Sequence, residues 1–301
     1  MKIRVLGCGS AFSTDNMNQQ FLLTEGGRTL LVDCGYATPF VLKRAGIKIQ
    51  EIDDIYISHA HADHIGGLEF VAFNVYDFMN KPRSWQEHKA ALAAGRKGKP
   101  FPRLIGDYLL LKEVWEKSLR GGLESIEGFL ATMDTFFETT PIYENGSLDW
   151  QGWKLETVQQ VHVVSGNHIM HTYGVMLSKP GHKTVYLTTD TQYNSPRQAD
   201  TFYTKADIIF QDCETMGVNM KDRKYIFGSK VHASYAELAA GFANVNNMVL
   251  SAEIRAKMLL SHYQDHVLAG VDFFGNPCDW DAQAKADGFM GMVHVGLELE
   301  V

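Results

Sequence analysis

The sequence predicts an α/β (α+β) chain folded as a four-layer αββα sandwich, and three observations lead there. Both ends of the chain are rich in short, apolar, strand-like runs. Helical patterns lie between and after these β-rich halves. No linker or low-complexity segment divides the 301 residues. Helices covering two packed sheets is the layer architecture that buries such a pattern. One domain over residues 1–301 is expected, large enough to enclose a sizeable core.

The elements follow in order. Lys2–Leu6 reads as a strand leading into Gly7-Cys8-Gly9-Ser10. Gly7-x-Gly9 lacks the third glycine and the following helical pattern of a dinucleotide fingerprint. Gln20–Thr24 and Arg28–Val32 flank Glu25-Gly26-Gly27 and read as a tight hairpin. Thr38–Ala45 looks helical and stops at Gly46. The apolar run Ile52–Ile57 reads as a buried strand. After Gly66-Gly67 the pattern turns helical through Leu68, Phe70, Val71, Val75 and Phe78–Met79. An insertion at about 73–101 is helical and locally basic. Within it, Lys81–Lys99 carries six Lys and Arg against a single Glu87. This is a solvated surface excursion or a phosphate-attracting rim or lid. Tyr108–Leu119 is amphipathic and closes at Gly121-Gly122. Trp153–Val164, Tyr173–Leu177 and Thr184–Thr188 read as strands, with Gly181-His182 turning between the last two. Ile208–Phe210 is a short strand. Tyr235–Phe242 and Ala252–Met258 look helical, and Met258–Leu260 is a short strand.

Lys plus Arg is 28 and Asp plus Glu is 35, a net charge of -7. That balance argues against broad binding of nucleic acid or anionic membrane, though not against a local basic groove. The start, MKIRVLGCG, carries no signal-peptide pattern, and no apolar run approaches the roughly 18 residues of a membrane span. Cys8, Cys34, Cys213 and Cys278 are scattered without a C-x-x-C pair, which fits buried thiols in a reducing compartment. A cytoplasmic location is the expectation.

The chemistry concentrates in Ser58-His59-Ala60-His61-Ala62-Asp63-His64, directly past an apolar run. Imidazoles and a carboxylate suit zinc and similar divalent metals, and α/β folds place ligand sites at the carboxyl ends of strands. His162, Asp190 and His262 each stand just past a further apolar β run, so four sheet-edge positions could converge on one point.

This order of residues resembles the metallo-β-lactamase superfamily over nearly the whole chain. Leu-Val-Asp-Cys-Gly at 31–35 also looks like that superfamily's recurrent strand end. The resemblance implies a metallo-β-lactamase-like αββα sandwich with two divalent metal ions. His59, His61 and His162 would hold one, Asp63, His64 and His262 the other, with Asp190 bridging. His168 and His171 compete for the place of His162, which is preferred for lying at a strand end. Zinc is the expected metal, and manganese or iron also fit nitrogen and oxygen donors. A hydroxide bridging two such ions is the expected nucleophile.

Val231-His232-Ala233-Ser234 and Asp212-Cys213-Glu214 resemble the phosphodiesterase branch of the superfamily. That branch includes tRNA 3′-processing endonucleases and cyclic-nucleotide phosphodiesterases. By carry-over His232 contacts phosphate and protonates the leaving group, Glu214 orients it, and Asp63 joins them in the catalytic set. Ser234 could be only a helix-capping hydroxyl. The tRNA-processing members carry a long arm between the third His ligand and the bridging Asp. Here His162 and Asp190 are 28 positions apart (190 minus 162), which leaves no room for one. A small phosphodiester, a cyclic nucleotide above all, is the favoured substrate. A tRNA endonuclease, a lactone or ester hydrolase, and a non-catalytic metal-binding module are the alternatives. No stable nucleic-acid partner and no membrane is expected, and the resemblance implies a homodimer.

Overall fold

A computed structural model describes residues 1–78, 81–143, 146–192, 199–241 and 250–301. Strict alternation in the N-terminal strands builds the first sheet. Successive side chains of a strand point to opposite faces. Leu23, Leu30 and Val32 accordingly enter one core with Ile3, Val5, Tyr56 and Ile105. Their neighbours Leu22, Leu31 and Ile55 enter a second core with Val41, Leu42, Leu68 and Val71 from helices. A sheet apolar on both faces must be an inner layer.

That first sheet has seven strands. Their spatial order is Glu298–Glu300, Lys2–Gly7, Gln20–Glu25, Arg28–Val32, Asp54–Tyr56, Arg103–Asp107 and Glu138–Ile142. The hairpin forms as expected: Glu25 faces Arg28, and Gly26 and Gly27 take φ of 55° and 78°. Two left-handed residues in a two-residue loop match the twist of the flanking strands. The second sheet also has seven strands. They run Gly291–Met292, Met258–Ser261, Ile208–Asp212, Val185–Leu187, Tyr173–Ser178, Trp153–Gln159 and Ser147–Trp150. Trp150, Trp153, Leu155 and Val175 meet the first sheet across the shared core. Helices Thr38–Ala45, Leu68–Phe78 and Tyr108–Val114 cover the first sheet; Tyr235–Ala239 and Trp280–Ala286 cover the second. The αββα sandwich is therefore present.

Parallel pairing positions the site. Arg28–Val32, Asp54–Tyr56 and Arg103–Asp107 are parallel neighbours, as are Val185–Leu187, Ile208–Asp212 and Met258–Ser261. Their carboxyl ends therefore share one edge of each sheet.

Several boundaries differ from expectation. The strand at Trp153 ends at Gln159, not Val164. Gln160 turns to bond Thr172, the Val161 carbonyl accepts from Gln192, and Val164–Ser165 pairs with His168–Ile169 in a separate ribbon. The helix from Tyr108 does not close at Gly121-Gly122 but runs on through a wide turn at Trp115–Leu119 to Leu123. The helix at Ala252 stops at Arg255, and Met258 opens the next strand. Tyr235–Ala239 is helical, while Phe242, like Met79, lies outside the described residues. Within the insertion, Trp85–Ala93 is helical. Lys99 bonds the Gln50 carbonyl at 3.0 Å and pairs with Asp53 at 3.6 Å. That anchor lies at the start of strand Asp54–Tyr56, the end away from His59.

All four cysteines are free, with Cys8, Cys34 and Cys213 buried. Among the described residues no helix is long and apolar enough to cross a membrane.

Candidate metal centre and active site

Strand Asp54–Tyr56 delivers Ser58 and His59 to the sheet edge, and a short helix, Ala62–Ile65, presents Asp63 and His64. Backbone bonds dock this segment onto residues 34–36: Cys34 donates to the His64 carbonyl at 2.8 Å and Tyr36 to the Ala62 carbonyl at 3.1 Å. A Cβ on Gly35 would fall on the Asp63 carbonyl, so only glycine permits the approach.

Three imidazoles meet on one side of Asp190. His61 Nδ1 lies 3.0 Å from His59 Nε2 and 3.1 Å from His162 Nε2. Asp190 Oδ2 lies 3.6 Å from His59 Nε2 and 3.5 Å from His162 Nε2. On the other side, His64 Nε2 is 3.2 Å from both Asp63 Oδ2 and Asp190 Oδ1. His262 Nε2 is 3.4 Å from Asp63 Oδ2 and 3.3 Å from Asp190 Oδ1. Each set can hold a metal ion, and the two share Asp190 through different oxygens. Tetrahedral bonds of about 2.0–2.1 Å give ligand–ligand edges of about 3.3 Å, close to these separations. His64 Nε2 and Asp190 Oδ1 are buried without a hydrogen-bond partner although they face each other. Two such atoms aimed at a common point fit a cation between them.

A further layer of groups fixes which ring nitrogen points inward. Asp33 accepts from His64 Nδ1 at 2.7 Å and from the Ser58 hydroxyl and amide at 2.9 Å each. The Val231 carbonyl accepts from His162 Nδ1 at 2.7 Å. In both rings Nε2 is thereby left as the inward donor. His168 and His171 do not reach the centre: His168 is exposed in the ribbon, and His171 bonds Glu113 at 2.9 Å.

His232 stands beside the centre, its Nδ1 3.9 Å from Asp190 Oδ2. Its orienting partner is Asp212, at 2.8 Å, rather than Glu214. The Glu214 carboxylate instead accepts from the Tyr225 hydroxyl at 3.0 Å and the Ser229 amide at 3.1 Å. Glu214 acts on the His232 segment through its backbone, which bonds Ala233 and Tyr235. The strand ends at Asp212, and the Asp212 and Glu214 carboxylates meet different partners. Ser234 occupies the N-cap position of helix Tyr235–Ala239, but its buried hydroxyl makes no capping bond. Sequence reasoning missed Asp33 and Asp212 as orienting groups. Asp33 carried a signal, since it directly follows an apolar strand as the clustered residues do, whereas Asp212 did not stand apart in sequence from Glu214, two residues on.

Electrostatics divides the imidazoles. Burial holds His59 and His61 below the ordinary histidine range and pushes His162 down to about 4. These rings are neutral and ready to ligate. Against the same burial, Asp190 and neighbouring carboxylates raise His64, and raise His262 to about 10. A cation on that side would displace protons. Burial opposes the His232 imidazolium as well, but Asp212 outweighs it and raises that ring.

Comparison with known proteins agrees with the fold. The chain resembles the metallo-beta-lactamase fold protein YhfI from Bacillus subtilis at 17% identity and TM-score 0.62, covering 100% of this chain and 99% of that one. It resembles Zn(2+)-bound PqqB from Methylobacterium extorquens at 12% identity and TM-score 0.65, covering 100% of each. It also resembles human tRNase Z, short form, at 14% identity and TM-score 0.60, covering 100% and 99%. The chain thus has the metallo-β-lactamase fold, with a His/Asp centre whose residues could hold metal ions. The profile of the Anti-Pycsar protein Apyc1 family matches residues 1–294, and the chain belongs to that family. The Anti-Pycsar protein Apyc1 of Bacillus phage BSP38 is 30% identical over 279 residues, 91% of each chain. That of Paenibacillus harenae is 28% identical over 270 residues, 89% of this chain and 91% of its own.

Proposed function

We propose that this chain hydrolyses a small phosphodiester, a cyclic mononucleotide, with two divalent cations in the centre that Asp190 divides. The observation that carries this reading is His232: a partly exposed imidazole, tethered by Asp212, beside two four-ligand clusters. His59, His61, His162 and Asp190 Oδ2 would hold one cation; Asp63, His64, His262 and Asp190 Oδ1 the other. Bound there, such ions activate a water and neutralise charge building on phosphate oxygens. The donor set favours zinc, with manganese or iron as substitutes.

Opening a cyclic phosphodiester breaks a P–O bond to a ribose oxygen, which leaves as an alkoxide unless it is protonated. With Nδ1 committed to Asp212, His232 has Nε2 free to hold that proton. The neighbouring carboxylate helps the ring keep it. His61 and His232 are only partly buried while the other residues of the clusters are buried. Substrate therefore approaches over these two rings.

Substrate size is argued from the interval between His162 and Asp190. The ribbon Val164–Ser165 with His168–Ile169 and the strands Tyr173–Ser178 and Val185–Leu187 fill it. No arm for gripping tRNA is present there. The test is turnover by purified, metal-loaded protein of cyclic mononucleotides, cyclic dinucleotides, a precursor tRNA and a lactone. Conversion of a cyclic mononucleotide to the linear monophosphate is expected. Preferential cleavage of the tRNA, or of the lactone with phosphodiesters untouched, would overturn the reading.

A further inference from the structure

We infer that Phe12 is the surface on which the base of the substrate stacks, a reading that rests on the nucleotide substrate proposed above. Residues 10–16 form a strap running past the carboxyl edge of the first sheet, and its backbone is tied at both sides. The Ser10 amide and the Ser13 hydroxyl both donate to the Tyr263 carbonyl, at 3.3 and 3.1 Å. Asp265 gathers the amides of Thr14, Asp15 and Asn16 at 2.7, 3.1 and 3.1 Å. From the opposite side the Tyr36 hydroxyl donates to the Ala11 carbonyl at 2.7 Å. Both anchors adjoin the metal clusters: Tyr263 follows His262, and Tyr36 is bonded through its amide to Ala62, between His61 and Asp63.

Amid these tethers the Phe12 side chain is 80% exposed, and the Tyr36 ring beside the strap is 42% exposed. Isolated exposed aromatics are ordinary on protein surfaces. This one differs in being carried by a hydrogen-bonded strap whose anchors adjoin the His/Asp clusters. A ring carried on a backbone tethered beforehand loses less freedom when a partner stacks on it than one on a loose loop. A nucleobase offers a flat π-face to such a ring whatever its sequence identity. The ribose separates base from phosphate, so the base of a nucleotide whose phosphate sits over His61 and His232 falls on the rim rather than on the metals. Phe12 would touch the base; Tyr36 is a positioning residue that holds the strap through Ala11.

The experiment compares a 3′,5′-cyclic mononucleotide with the base-free 3′,5′-cyclic ribose phosphate. The quantity read is the KM of the base-free compound divided by that of the nucleotide. In Phe12→Ala this ratio is expected to fall about 5- to 150-fold, the range for loss of one stacked base. Phe12→Trp keeps the ratio, and Tyr36→Phe lowers it by a smaller factor with kcat little changed. An unchanged ratio in Phe12→Ala, with both compounds still cleaved, overturns the inference alone. Wild-type protein that cleaves neither compound overturns the substrate reading and this inference with it.

Discussion

A proton donor is useful only when something fixes where its proton points. For the donor role proposed for His232 that group is Asp212, 2.8 Å from Nδ1. Replacing His232 with Ala is expected to lower phosphodiester kcat by about 10²- to 10⁴-fold, the range for a general acid. Metal content, measured by elemental analysis, stays at the wild-type level. Asp212→Asn lowers kcat in the same direction, whereas Glu214→Gln stays within a few-fold of wild type, because the Glu214 carboxylate meets Tyr225 and Ser229. Equal losses in the two carboxylate variants would return the orienting role to Glu214. The metal stoichiometry gives a second residue-level test. Asp63→Ala removes a donor from one cluster and Asp190→Ala from both. The first variant should retain close to one bound ion and the second fewer than one. The convergence of these side chains was legible because imidazoles and carboxylates stand just past apolar runs. The orienting partner of His232 was not legible: Asp212 and Glu214 are two residues apart and both buried. Only the partners each meets in the fold decide between them.

At the scale of elements, local periodicity was a good guide wherever an element buries a full face. Thr38–Ala45 and Arg28–Val32 form over the expected residues, and Gly46 closes its helix at φ 71°. The edge strands Gly291–Met292 and Glu298–Glu300 went unread, since two or three residues carry no period and pairing with a neighbour defines them. Strand overruns have the same origin: the apolar run through Val164 continues after its hydrogen bonds have passed to Thr172 and Gln192. The helix Ala62–Ile65 is too short to hold itself together and depends on its dock against residues 34–36. Gly35→Ala places a methyl group against backbone at that dock. It should cost about 1–3 kcal/mol in urea unfolding, the usual penalty for overpacking. Because Asp63 and His64 ride on the displaced helix, metal affinity should fall as well. A variant with wild-type stability and metal binding would show that the dock yields freely.

Across the whole molecule, a buried carboxylate ties the two sheets together at the end of the sandwich opposite the His/Asp centre. Asp54 accepts from Arg28 Nη2 at 2.9 Å and from Arg103 within the first sheet, and from the Trp150 indole at 2.7 Å across to the second. Burial alone would raise its pKa, but the bonds from Arg103, Arg28 and Trp150 outweigh burial and hold it below the ordinary carboxylate range. The sign of the linkage follows. A depressed folded-state pKa contributes stability that is fully present above the unfolded value, near pH 4, and is lost as pH falls through the folded value. Removing one partner of a buried pair costs about 3–5 kcal/mol when the remaining charges are trapped. Arg28 and Arg103 keep 37% and 23% of their side chains exposed. They can rehydrate, so Asp54→Ala is expected at the low end, about 3 kcal/mol. In Asp54→Asn the melting temperature should fall less steeply between pH 5 and pH 3 than in wild type, because the titrating group is gone. Parallel pH profiles of the two proteins would mean that Asp54 is not the carboxylate that couples protons to this end of the fold. The metal content at neutral pH should be the same in both, since the strand that starts at Asp54 carries His59 at its other end.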